Sequence, residues 1–356
     1  MISLKKNILS FWEWFCQKHT SMEDLLREGS ILPVTRVIEE QLRRHNIPTP
    51  CQIFFSEKDS RFLLALSAGG NKTNQFIHRF WKESAPDFLL DDWQFLAGYP
   101  AAEHPEGVSF PLGDKHLFPE NFPVLYRADQ QRQKFDIQVV SPDLAAAPKD
   151  TQLRYLARFL QFFLGENLAE IYLGEMEVIP QAPLFPIPGT QKTTLSQFPK
   201  ILRQAPLLLN VVWTEDPTQI CFGYQAPPDQ RNPAFPRGDI ISGFSRVTAL
   251  LDSPFSLANE LRQRGGAYCY LSFPLDMIPE DFSEMDFRED SLRFLEQMME
   301  EFRLGYVVGT AVSRDNLYID IITFDEETFR AVARDIEFDL LLPAAIKTFD
   351  FPGTLH

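Results

Sequence analysis

The chain is short of most features that would name a chemistry. Its 356 residues include only four cysteines, Cys16, Cys51, Cys221 and Cys269, and no C-x-x-C pair. That spacing offers neither a disulfide framework nor a thiolate metal site, and it reads as reduced, mostly buried thiols of a cytoplasmic protein. The six histidines form no H-x-x-x-H or H-E-x-x-H, so no metal is expected. No cofactor fingerprint appears, and none is expected to be bound. Long apolar runs are missing too: nothing approaches the 18 or so residues that cross a bilayer, so no membrane partner is expected. The basic start, Met1 to Lys6, is followed by a stretch broken by Glu13, which does not make an export signal. Basic residues are outnumbered, with 34 Lys and Arg against 49 Asp and Glu for a net charge of −15. A general phosphate-backbone binder needs the opposite balance, so nucleic acid is not an expected partner.

What is present is globular. Hydrophobic residues make up 44% and charged residues 23%, which excludes a disordered chain. Prolines (27) outnumber glycines (17), and phenylalanine alone supplies 32 residues, so stiff connections and a ring-filled core are expected. At roughly 100 to 200 residues per domain the length fits two domains. The division expected is an N-terminal domain over 1–190, a Pro-rich linker over 191–206 and an acidic C-terminal domain over 207–356. The linker follows from the prolines at 180, 183, 186, 188, 199 and 206.

Periodicity supplies the elements. Helices are expected at Phe11–Phe15, 35–45, 72–84, 153–164, 245–264, 290–303 and 326–336. Strands are expected at 51–55 and 61–66 as a hairpin, then at 93–97, 135–140, 170–179, 267–273, 305–312 and 317–324. A second hairpin is expected from Leu207–Trp213 and Ile220–Tyr224. The class is therefore α+β, with two domains that each carry a mainly antiparallel sheet and helices packed on one face.

Several residues invite a chemical reading. Gly69, Gly70, Lys72 and Thr73 lie between a strand and a helix, where free amides hold phosphate, although Leu66 stands where a Walker A loop needs glycine. The competing reading is a tight turn with Asn71 or Thr73 as cap. Asp320 falls on the same strand face as Tyr318, Ile322 and Phe324, and a carboxylate among apolar neighbours is a candidate acid or base. His104 and His116, with Glu103 or Asp114, share one loop. Ser242-Gly-Phe-Ser245 is not a nucleophile elbow, because Ile240 replaces the first glycine. Arg237-Gly-Asp239 is a chance tripeptide. On the first helix, Trp12 and Trp14 cannot both face one core, so one of them is expected to contact something other than the helix's main docking face. A partner surface is one reading, and packing against the rest of the domain is the favoured one.

The segment Phe11-Trp-Glu-Trp-Phe15, the run Leu64-Ala-Leu-Ser-Ala-Gly-Gly70, Ala85-Pro86 before Trp93, and Leu164-Gly-Glu166 together resemble a group of uncharacterised bacterial proteins. Those proteins carry an FW-x-WF helix and an AP-x(n)-W landmark. The resemblance covers roughly residues 8 to 180. It implies a bacterial cytosolic fold and supplies no catalytic residue, since its landmarks are rings and glycines.

Charge is the sharpest signal. Residues 276–339 hold 18 acids and 6 bases, so 64 residues carry a net of −12 out of −15. The expected function is non-catalytic: a module, such as an immunity or inhibitor protein, that docks a basic protein through this acidic surface. The binding residues expected are Asp276, Glu280, Asp281, Glu284, Asp286, Glu289 and Asp290, with Trp12 and Trp14. The alternative is an enzyme of unknown reaction, with its site in an inter-domain cleft built from Asp320, Lys72 or the 104–116 loop.

Overall fold

The computed structural model describes residues 2–225, 240–244, 256–278, 283–312, 315–339 and 345–348. Arg237–Asp239, Ser245, Glu280, Asp281 and the first half of the helix expected at 245–264 lie outside the described residues. The class is α+β, with sheets that are mostly antiparallel. The described residues fall into two compact units. One is built from Met1–Thr49, Asn71–Leu89 and Thr218–His356, the other from Pro50–Gly70 and Leu90–Pro217. The division expected at 191–206 is therefore replaced by four crossings of the chain.

The first unit opens with α1 (Leu4–Arg27) and α2 (Ile31–Arg44). Ser3 accepts from the Lys6 amide and caps α1, whose apolar positions recur every three to four residues and bury Leu4, Ile8, Phe11, Trp12 and Phe15. Helix α3 (Lys72–Glu83) starts at Asn71, whose side chain accepts from the Asn74 amide at 2.8 Å. The C-terminal part adds α9 (Ser256–Gln263), α10 (Glu284–Glu301), α11 (Glu326–Asp339) and six strands. These strands are β10 (Cys221–Gln225), β11 (Ile240–Phe244), β12 (Ala267–Pro274), β13 (Gly305–Val312), β14 (Asn316–Thr323) and β15 (Ala345–Thr348). They form one antiparallel sheet in the order β10-β11-β13-β14-β12-β15.

Side chains alternate across that sheet. Leu271, Phe273, Ile319 and Ile321 pack with Phe287, Leu295 and Met299 of α10 and Phe329 of α11. On the other face, Phe80 of α3 lies 4.5 Å from Phe324, and Tyr306 lies 6.0 Å from Phe76 (ring centroids). Backbone bonds from the Leu4 amide to Gly265 O and from the Lys5 amide to Phe324 O fasten the start of α1 to this C-terminal part.

The second unit holds the sheet β1 (Cys51–Ser56), β2 (Arg61–Leu66) and β3 (Trp93–Leu96), where the expected hairpin forms in register and β3 joins parallel. It also holds the small hairpin β4 (Phe110–Leu112) and β5 (Lys115–Leu117), and a four-stranded sheet. That sheet runs β8 (Leu173–Ile179), β7 (Lys134–Val140), β6 (Pro123–Asp129), β9 (Gln191–Thr194). In β7 the alternation puts Phe135, Ile137 and Val139 inside. Short α4 (Pro142–Ala145) leads to α5 (Lys149–Leu164), which buries Leu156, Phe159, Leu160 and Phe163. Residues 170–172, expected as strand, complete α6 (Glu166–Tyr172) instead.

The Pro-rich stretch over 191–206 is folded, not a linker. Strand β9 pairs with β6, and α7 (Phe198–Leu202) and α8 (Ala205–Leu208) follow, with Leu195, Phe198, Leu202 and Ala205 fully buried. Pro199 and Pro206 sit in the first turns of these helices, where their missing N–H costs nothing. The hairpin expected from Leu207–Trp213 is absent, because α8 takes its first residues and β10 pairs with β11 instead.

Candidate functional site

The acidic segment is mainly a helix. Ser283 caps α10, its Oγ accepting from the Asp286 amide at 3.1 Å and donating to the Asp286 carboxylate at 2.6 Å. Phe287, Ser291, Leu295, Met298 and Met299 turn inward at helical spacing. That leaves Asp286, Glu289, Asp290, Glu296, Glu300 and Glu301 exposed on the outer side, and Asp276 is exposed in the turn before it. The side chain of Glu284, like Glu280 and Asp281, is outside the described residues. Asp290 pairs with Arg293 at 3.4 Å, which is the one ion pair these acids make among the described residues. No basic residue occupies the last turn, so Glu300 and Glu301 stand at the negative pole of the helix dipole. Stability alone would place cations there.

Beside this helix lies a cleft of about 780 Å³ lined by α3, α10 and β13. Its inner wall is a closed polar network. Arg79 lies 4.2 Å over the Tyr306 ring, its Nε donates to Glu83 at 2.8 Å and its Nη1 to the Thr218 hydroxyl at 3.1 Å. The Tyr306 hydroxyl donates to the second Glu83 oxygen at 2.6 Å. Glu296 and Glu300 of α10, both exposed, line the same cleft together with the exposed Arg303. Arg79 and Glu83 are four residues apart on α3, the one spacing in the sequence that could have suggested this network; its link to Tyr306, 223 residues away from Glu83, had no local signal.

The phosphate candidate is occupied by the protein itself. The Gly69 amide donates to Glu166 Oε1 at 2.7 Å and the Ser67 hydroxyl to the same oxygen at 3.2 Å, while Glu166 Oε2 accepts from the Tyr99 amide at 3.2 Å. A carboxylate thus fills the place expected for a phosphate. Gly69 and Gly70 adopt left-handed φ of 56° and 76°, Asn71 caps α3, Lys72 opens it and Thr73 is buried. This is the tight-turn reading. It also joins two sequence segments far apart in the chain, since Leu164-Gly-Glu166 supplies the carboxylate to the Leu64–Gly70 run. Gly165 between them has φ 80°, and a Cβ there would sit 3.0 Å from the Ala101 amide.

The remaining candidates separate. Trp12 is 2% exposed, its indole N–H donates to Trp81 O at 2.9 Å, and the two rings stack at 5.0 Å. It is a core residue and offers no surface to a partner; Trp14 is half-buried. Asp320 is fully buried, paired across the sheet with Tyr270 and Gly309. Neither Asp320 nor Lys72 lines the cleft. His116 Nδ1 lies 3.3 Å from the Ser109 hydroxyl, and no group of three or more His, Cys, Asp or Glu suited to a metal occurs among the described residues. No helix among the described residues is long and apolar enough to cross a membrane.

One group was not anticipated. His78 of α3 is fully buried, and neither ring nitrogen has a hydrogen-bond partner among the described residues. Burial, reinforced by the nearby Arg264 charge, lowers its pKa to about 3. Helical spacing places it beside the buried Phe76, Ile77, Phe80 and Trp81 of α3, whereas the want of a ring partner among the described residues has no local signal. None of these groups assembles a nucleophile, a base and an oxyanion site. No family model, no curated protein and no solved structure matches this chain.

Proposed function

We propose that this protein is a non-catalytic module that docks a basic protein through the outer face of α10 and the acidic rim of the adjacent cleft, as an immunity or inhibitor protein would. The observation that carries the reading is the placement of Glu296, Glu300 and Glu301 on the last two turns of α10, against the helix dipole and without ion pairs among the described residues. Charges kept where they oppose local stability have a use elsewhere, and a dense acidic face accelerates encounter with a cationic partner while excluding anionic ones. The partner class is a protein whose own site is cationic.

The test is capture from a lysate at low salt with the wild-type chain and with a charge-reversed variant, Glu289→Lys, Glu296→Lys, Glu300→Lys and Glu301→Lys. Wild type should retain a basic protein that elutes between about 0.1 and 0.5 M salt, as the screening length shortens. The variant should retain none of it. Equal capture by both chains, or a captured protein that is not basic, overturns the reading.

A further inference from the structure

We infer that the hollow beside the three-stranded sheet β1-β2-β3 is a binding site for an apolar organic acid, whose carboxylate is held by Arg158. The cavity has a volume of about 660 Å³, within the range of roughly 300 to 1,000 Å³ typical of small-molecule sites. Its walls are Phe54 and Leu63 of the sheet, Val108 and Phe110 at the start of β4, and Phe162 of α5. Phe54 and its neighbour Phe55, which also borders the hollow, are 37% and 54% exposed. Phe54 shares its sheet face with Leu63, and a ring left partly in water beside a concave apolar surface is what a bound apolar body would cover.

Helix α5 explains how the polar end is placed. Arg158, Gln161 and Phe162 occur at i, i+3 and i+4 and line the hollow, while Phe159, Leu160 and Phe163 turn into the core. The Arg158 guanidinium lies 5.2 Å above the Phe110 ring. Among the described residues it has no carboxylate at ion-pair distance. A guanidinium resting over a ring face spends no N–H donor on that contact, and its fork matches the two oxygens of a carboxylate. Glu57 and Glu103 also line the hollow, both at exposed positions. Their charge favours the opposite ligand, a cationic amphiphile, so the two are set against each other directly.

The experiment uses the full chain and the uncharged fluorescent probe N-phenyl-1-naphthylamine, displaced by laurate in one arm and by dodecyltrimethylammonium in the other. The probe should bind once per chain, and laurate should displace it at least about tenfold more effectively than the cation. Arg158→Gln should weaken laurate by about tenfold or more, the range of a lost charged hydrogen bond, with probe affinity changed less than twofold. Phe54→Glu, at an exposed position, should abolish probe binding without changing the melting temperature. The absence of saturable probe binding, survival of that binding in Phe54→Glu, equal or better displacement by the cation, or unchanged laurate affinity in Arg158→Gln would each overturn the inference. The site lies in the other compact unit from α10, so these outcomes leave the acidic-docking proposal untouched.

Discussion

The aromatic cluster of α1 and α3 and the acidic face of α10 lie in the same compact unit, and both look like binding surfaces when read as residue lists. They part once geometry is known. Trp12 stacks on Trp81, hydrogen-bonds to its carbonyl and touches Phe11 and Phe15, so its bulk is spent inside the protein. Among the described residues, the acids of α10 make one ion pair, and their side chains are exposed. Aromatic residues therefore need an accounting of burial before they are read as hot spots. Charges need an accounting of partners and of the helix dipole.

The comparison breaks if Trp12 tolerates truncation. Trp12→Ala should cost about 3 to 5 kcal/mol in unfolding free energy, as large-to-small changes at packed sites do. Trp14→Ala, at the half-buried neighbour, should cost clearly less, and urea titration of both variants measures the gap. Equal costs would mean that the two rings share one role.

A second measurement probes the same core from α3. With the His78 pKa near 3 in the folded chain and near 6.5 when unfolded, the unfolded state takes up the extra proton between those values. Stability should then fall with decreasing pH, by at most about 1.4 kcal/mol per pH unit through that window. His78→Leu removes the titrating group and should flatten this part of the pH profile. Parallel profiles for wild type and variant between pH 7 and pH 4 would contradict the assignment.

The smallest effect belongs to the surface. Glu300→Gln with Glu301→Gln should raise the melting temperature by only a degree or two, on the order expected for relieving charge at a helix C-terminus, and added salt should shrink the gain. The same pair should weaken capture of a basic partner. A drop in melting temperature would show that these acids support the fold after all.

Much of the architecture was legible because local signals agreed with burial. The β1–β2 hairpin, the alternation of β7, the Asn71 cap and the strands β12, β13 and β14 all follow from period, cap or turn chemistry. The failures are apolar or Pro-rich runs without a period. Leu207–Trp213 is rich in aliphatic residues, yet Leu207 is 79% and Val212 91% exposed, and composition alone cannot separate a core strand from an exposed segment. Pro199 and Pro206 read as linker punctuation but begin helices. At the candidate sites, helix and charge were readable on α10. The Glu166 carboxylate that fills the Gly69 turn was not, because residues about a hundred positions apart meet only through the tertiary fold.

The interleaving of the two compact units has a consequence for synthesis on the ribosome. Trp12 and Trp81 are made before the residues that cover α3: Tyr306 of β13 and Phe324, just after β14, follow more than 200 residues later. At about 5 to 20 residues per second, the apolar side of α3 waits on the order of ten seconds or more for its cover. The nascent chain thus passes through a period in which a ring-rich helix is open to chaperones or to misassembly. Any product truncated before β13 leaves that helix permanently without its sheet.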